Sequence, residues 1–349
     1  MPRIATPTAL PAPAAEPGAP PRVRRYDIDL LRVVCTAAVV LCHASAEFLH
    51  AGHRTAGIAG DSASRFAVPA FFAMAGWAAL AGAPVADERQ LLRRVGRVLR
   101  PMAVWTAVYL VWQYLSGPPL NGGLGKESVR ALAGSVQPAF HLWYLYTYVP
   151  LVLLLGVAVL VVKGRALPRW SLLAVAGFAV APALWGDART LSGLNLPPWH
   201  WSVSRYSLGY AVAGAALLCA RRLGPRPLWA AGVGVALLAV AGYQFTVRNP
   251  APYGSPAVAA LTLAVVGALA GVRVPARLRA ALVRLSDASF GTYLVHLLFV
   301  MLLVRPVAER APGGPAAAVA LGVTALAAIA ASFAASALWG RLGLRGWLG

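Results

Sequence analysis

The chain has 349 residues, 59% of them hydrophobic and only 12% charged, with a mean hydropathy of +0.67. That balance excludes an ordinary soluble domain and predicts an all-α polytopic membrane protein. The formal charge of +20, from 31 Lys and Arg against 11 Asp and Glu, would suggest nucleic acid in a soluble protein, but it is concentrated in alternate connections between apolar segments, so it reads as membrane topology and not as nucleic-acid binding.

Residues 1–25 are rich in Pro and Ala and then basic at Arg22, Arg24 and Arg25. They lack the uninterrupted apolar core of a cleavable signal peptide, so a disordered cytoplasmic tail is expected there. Residues 26–340 read as a single transmembrane domain and 341–349 as a short cytoplasmic tail. Apolar runs predict about ten transmembrane helices, over 28–50, 66–82, 98–116, 141–162 and 170–186, then 203–220, 228–246, 256–272, 288–308 and 314–338. The runs 66–82 and 170–186 are short enough to be tilted or re-entrant. The N-terminal tail, the even-numbered connections and the C-terminal tail carry more than twice the Lys and Arg of the odd-numbered connections. Both termini are therefore expected in the cytoplasm, with an even number of spans. Residues 51–65, 117–140 and 187–202 are then the longest outer connections and candidate walls of an outward-facing site, the last containing the run Asn195 to Trp201.

Cys35, Cys42 and Cys219 fall in expected spans without metal-ligand spacing or a disulfide framework, and read as packing residues; no metal is expected. Basic residues are arginine except Lys126 and Lys163, and Ala, Gly and Pro are abundant. That usage points to a GC-rich bacterial genome and, for a multi-pass chain, to a bacterial cytoplasmic membrane.

In chain order, the first chemistry lies in the first span. Arg32 and His43 are separated by ten residues inside one apolar run. Eleven helical steps of about 100° return to within roughly 20° of the starting direction and advance about 16 Å. Both side chains therefore project from one face, in a polar stripe with Asp29, Thr36 and Glu47. Ionisable groups inside a membrane are costly and point to function. The segment Val68 to Leu80 alternates small and aromatic residues, with Ala75 and Gly76 permitting close helix contact. Before the third span, Arg93, Arg94, Arg97 and Arg100 form a basic cluster in which Arg97 and Arg100 sit one turn apart, a spacing suited to clamping phosphate oxygens of a nucleotide-bearing donor. The same charges also fit plain topology or lipid headgroup contact. His141, Trp143, Tyr144, Tyr146 and Tyr148 open the fourth span, where an interfacial aromatic belt is the default and contact with a sugar hydroxyl the functional alternative. Tyr293 and His296, one turn apart in the ninth span, suit either an interhelical hydrogen bond or an acceptor site. Arg205, Tyr206, Trp199, His200 and Trp201 are similarly open.

These segments, in this order, resemble the acyltransferase-3 family of integral membrane acyltransferases. The resemblance rests on Asp29, Leu30, Arg32 and His43; on Phe71, Phe72, Ala75 and Gly76; on Arg97 and Arg100; on His141, Trp143, Tyr144 and Leu145; and on Ser289, Phe290, Gly291, Tyr293, Leu294 and His296. Ala75 stands where the family commonly has Ser, so no hydroxyl acts there. The resemblance spans about residues 25–310. It implies an O-acyltransferase that takes an acyl group, in the first instance acetyl, from cytosolic acyl-CoA to a hydroxyl of a cell-surface glycan, a lipid or a secreted small molecule. Arg32, Arg97 and Arg100 would hold the donor, with Arg32 at the inner mouth. His43 would be general base or acyl carrier, with Glu47 either fixing its tautomer or facing outer water, while His141, Trp143, Tyr293 and His296 would serve the acceptor or the structure. The contrasting reading of the same stripe is a proton-coupled transporter or flippase using Arg32, His43 and Glu47.

Overall fold

The computed structural model describes residues 24–116, 123–134, 139–164, 167–193, 196–220 and 223–349, and every element among them is helical. Nearly all of the expected tail at 1–25, parts of the connection at 117–140 and Asn195 lie outside the described residues. The helices are α1 (Tyr26–His50), α2 (Arg54–Ser64), α3 (Ala67–Trp77), α4 (Glu88–Ser116), α5 (Gly123–Ala133), α6 (Trp143–Val162), α7 (Arg169–Ser192), α8 (Arg205–Cys219), α9 (Arg226–Val247), α10 (Pro256–Leu269), α11 (Ala276–Phe299), α12 (Arg305–Ala308), α13 (Pro315–Arg341) and α14 (Arg345–Leu348). Short π-helical turns follow α3 at Ala78–Gly82 and α11 at Val300–Val304, and a 3-10 turn at Phe140–Leu142 leads into α6.

Among the described residues, seven helical stretches are long and apolar enough to cross a membrane: Tyr26–His50, Arg54–Gly82, Phe140–Val162, Arg169–Ser192, Arg226–Val247, Ala276–Ala308 and Pro315–Arg341. Three of the ten expected segments do not qualify. α8 and α10 have 15 and 14 residues, about 22 Å of helix against a hydrocarbon core of about 30 Å, and α4 begins with an arginine-rich half. The expected outer connection at 51–65 is overturned. Its residues form α2, which packs along α1 and continues into α3, and the polar residues that argued against a span there are partnered inside the fold. Asp61 and Arg65, both buried, form an ion pair. Asp61 Oδ1 also accepts from Cys42 Sγ at 3.3 Å, and the Arg65 guanidinium lies 5.3 Å from the Tyr253 ring centroid. The connection expected at 187–202 likewise begins as the last turns of α7.

Local chemistry accounts for several boundaries. Ser204 and Ser255 accept from the amides of Ser207 and Val258 at the starts of α8 and α10, satisfying donors a helix leaves free. Pro256 and Pro315 occupy the first turns of α10 and α13, where no amide is needed. α3 and α8 meet through glycine: a Cβ on Gly76 would overlap the Ala211 backbone, and one on Gly214 would overlap Ala73. Lipid tails give packed helices little hydrophobic advantage, so this small-residue contact is what brings the two backbones together.

The centre of the bundle is α1, flanked by α2, α3, α11 and α13. α7 and α9 lie outside it, and only small shares of their apolar windows are buried. The C-terminal residues expected as a short tail are docked: the Leu348 carbonyl accepts from Trp105 Nε1 at 3.2 Å and the Gly349 carbonyl from Trp339 Nε1 at 3.0 Å. Cys35 is buried as expected, whereas Cys219, the last residue of α8, is exposed.

Candidate active site

α1 and α11 lie side by side and point the same way, so the polar stripe on α1 is matched level by level. At one end, Arg32 Nη1 donates to Ser286 Oγ at 2.8 Å, Ser286 Oγ donates to Asp29 Oδ1 at 2.6 Å, and Arg24 Nε donates to Asp29 Oδ2 at 2.7 Å. The Asp29 hydrogen bond holds the Arg24 guanidinium above its usual range. In the middle, the His43 and His296 ring centroids are 5.0 Å apart. At the far end, Arg305 Nε approaches Glu47 Oε2 at 4.0 Å.

The middle level is completed by His141, carried on the 3-10 turn before α6. Its ring centroid lies 5.1 Å from that of His296 and 6.3 Å from that of His43. Aromatic rings wall the three imidazoles: Phe140 is 5.3 Å from His43, Tyr109 is 4.9 Å from His141, and Tyr293 is 5.8 Å from His141. Tyr293 donates its hydroxyl proton to the His141 carbonyl at 2.6 Å, and Tyr109 donates to the Leu294 carbonyl at 2.8 Å. These bonds lock the turn before α6 and α4 onto α11. His296 Nδ1 lies 2.6 Å from the Tyr293 carbonyl. A carbonyl only accepts, so Nδ1 carries the proton and Nε2 of the neutral ring is bare. Among the described residues, Nε2 of His296 and both ring nitrogens of His141 are buried without a hydrogen-bond partner. Each such group costs about 1–3 kcal/mol, so three together mark a place built for a polar guest and not for packing.

Two cavities reach the rings that wall the imidazoles, one at Tyr293 and the other at Phe140. One, of about 230 Å³, is lined by Arg32, Phe71, Ala75, Tyr144, Tyr148 and Tyr293, among others. It runs from the Arg32 end of the stripe to the aromatic wall of the histidines. Val98 of α4 also lines it. Arg97 and Arg100 are exposed in a groove along α4, shared with Arg89 and Arg93, and the Arg100 guanidinium sits 5.8 Å from the Trp347 ring centroid. The other cavity, of about 450 Å³, is lined by Glu47, Trp112, Gln113, Phe140, Arg305 and Glu309, among others. Phe140 thus borders both this cavity and His43.

The structure therefore brings together His43, His141, Tyr293 and His296, with Arg32 in the cavity to one side of them and Arg97 in the separate groove on α4. Glu47 lines the cavity on the other side near Arg305; among the described residues no hydrogen bond joins it to His43. Trp143 stands apart and stacks on Tyr253 at 5.6 Å. The aromatic belt expected at the start of the fourth span is overturned, because His141, Tyr144 and Tyr146 are buried in the core. Sequence reasoning missed three participants: Ser286, which ties Arg32 to Asp29; Phe140, beside His43; and the Asp61–Arg65 pair. An acidic and a basic residue four apart, just before an apolar run, was the available signal for the last.

The acyltransferase-3 family, described as an acyltransferase domain, matches residues 25–337, nearly the whole chain. The chain belongs to this family of membrane acyltransferases. No match is found among curated proteins or among solved structures. Among the described residues, no group of three or more His, Cys, Asp or Glu side chains is arranged to hold a metal ion.

Proposed function

We propose that this acyltransferase carries an acyl group, acetyl in the first instance, from acyl-CoA on the cytoplasmic side of a bacterial cytoplasmic membrane to a hydroxyl presented from the opposite side by a glycan, a lipid or a secreted small molecule. The observation that carries the reading is the histidine cluster lying between two cavities. One is lined by Arg32; the other holds polar and aromatic side chains suited to a hydroxyl-rich guest. Donor phosphates are held at Arg97 and Arg100, whose guanidinium groups make charge-assisted bonds to them. The pantetheine arm passes Arg32 and follows the narrow cavity towards Tyr293, setting the thioester against the imidazoles. His43, on the Phe140 side of the cluster, takes the proton of the acceptor hydroxyl as general base. The buried Tyr109 and Tyr293 exclude water from the inner side of the cluster, which strengthens the electrostatic contacts there.

Residues 26–340 form the single transmembrane domain in this reading. Ten spans place both termini in the cytoplasm, with α4, α8 and α10 crossing in addition to the seven longer stretches. The bias of Lys and Arg towards alternate connections supports that orientation. The short α8 and α10 are accommodated by local thinning of the bilayer around them.

Purified protein in lipid nanodiscs, supplied with acetyl-CoA, tests the proposal by release of free CoA. Wild type is expected to release it and His43→Ala to lose at least about 10²-fold in rate while remaining monodisperse. Proton-coupled flux without turnover of any acyl donor would replace this reading with transport.

A further inference from the structure

His296 does something that the role given to His43 leaves undone. His43 takes the acceptor proton on its Phe140 face, whereas the sulfur departs from the same acyl carbon towards Tyr293 and needs a proton of its own. Resting on the acyl-transfer reading above, we propose that His296 is the general acid of the reaction, returning the proton to the departing sulfur.

Three observations carry this assignment. The α11 residues lining the Arg32-side cavity are Ser289, Phe290 and Tyr293, and His296 is one turn beyond Tyr293 on the same face. Its tautomer is fixed: Nδ1–H is held by the Tyr293 carbonyl at 2.6 Å, which leaves Nε2 as the one nitrogen able to take and give a proton. That nitrogen is buried without a partner among the described residues, and the ring lies 5.0 Å from His43 and 5.1 Å from His141, centroid to centroid. A rotation of the His43 ring or one bridging water brings Nε2 into hydrogen-bond range of His43 while the His296 ring stays held. His141, its own nitrogens unpartnered among the described residues, adds a second polar wall that accommodates the charge while the proton is in transit.

The step balances as follows. The acceptor O–H bond breaks and its proton goes to His43. The acceptor oxygen forms a C–O bond to the acyl carbon, and the C–S bond breaks with its electron pair on sulfur. The proton passes from His43 to Nε2 of His296 and from there to the thiolate. One thioester and one hydroxyl become one ester and one thiol, with no net proton released.

A general acid matters in proportion to the basicity of the group it protonates, which separates this role from a structural one. The experiment uses the full chain in nanodiscs, with water as acceptor and two donors that both lack the nucleotide: S-acetylpantetheine, whose alkyl thiolate is basic, and the acetyl ester of a nitrothiophenol, whose thiolate is not. His296→Asn keeps a donor for the Tyr293 carbonyl and removes Nε2; His296→Gln is the second variant should the first misfold. A loss of about 10²-fold with acetylpantetheine, with the aryl thioester turned over almost as by wild type, is the expected result. His43→Ala is expected to lose both donors alike, since the base is needed whatever leaves. Equal losses on the two donors in the His296 variants, or no loss on either, would overturn the assignment. Wild type that turns over neither donor nor acetyl-CoA would overturn the acyl-transfer reading and this inference with it.

Discussion

Ser286 has the shortest distance to a consequence of any single residue outside the histidine cluster. Its hydroxyl accepts from Arg32 and donates to Asp29, so it sets the direction of a guanidinium that is otherwise part exposed. Ser286→Ala removes both hydrogen bonds, each to a charged group, and KM for acetyl-CoA is expected to rise at least about fivefold with kcat little changed, as steady-state kinetics in nanodiscs would show. Asp61 and Arg65 make a different argument. Removing one partner strands a buried charge, so Asp61→Asn is expected to cost about 3–5 kcal/mol and to lower the thermal midpoint of the detergent-solubilised protein. Asp61→Leu combined with Arg65→Met replaces both charges with similar volume and should recover most of that loss. A double variant no more stable than the single one would show that the pair does more than satisfy itself.

At the scale of the element, α4 joins two regimes in one helix. Its first half is an arginine-rich groove and its second carries Trp105 and Tyr109 into the core. The groove is where nucleotide phosphates are proposed to bind, and the prediction follows from the donor's anatomy. Arg97→Ala with Arg100→Ala should raise KM for acetyl-CoA by about tenfold or more, while acetylpantetheine, which lacks those phosphates, should be turned over as by wild type. An equal loss on both donors would move the phosphate site elsewhere. The pairing of α3 with α8 through Gly76 and Gly214 was half visible beforehand. The small residues of α3 announced a close contact, but nothing in them named α8, because a close approach needs a small residue on each helix and the second lies more than a hundred positions away.

For the whole molecule, the testable property is sidedness. Cys219 is exposed at the end of α8, whereas Cys35 is buried, and His50 is exposed at the opposite end of α1 from Arg32. In intact cells of the proposed orientation, a membrane-impermeant maleimide should leave wild-type Cys219 unlabelled until the membrane is opened, and should label His50→Cys from outside. Labelling of Cys219 in intact cells would reverse the orientation. The fold was legible where a signal was local and repeated. Apolar runs of bilayer length marked the membrane class, and the Arg32 to His43 spacing gave one helix face. It was not legible at α2, whose polar residues imitate a loop, nor at α8 and α10, whose composition says membrane while their length falls short of it.

By itself the sequence determined that this is an all-helical membrane protein of the acyltransferase-3 family, with Arg32 and His43 on one face of its first helix, because hydropathy and helical periodicity act over neighbouring residues and can be read along the chain. Only the tertiary structure decided that His141 and His296 join His43, that Trp143 does not, that Ser286 holds Arg32, and that cavities lie on two sides of the imidazoles. Those are contacts between residues as many as 254 positions apart. They depend on which helices pack together, and a stripe of side chains on one helix does not specify its partner.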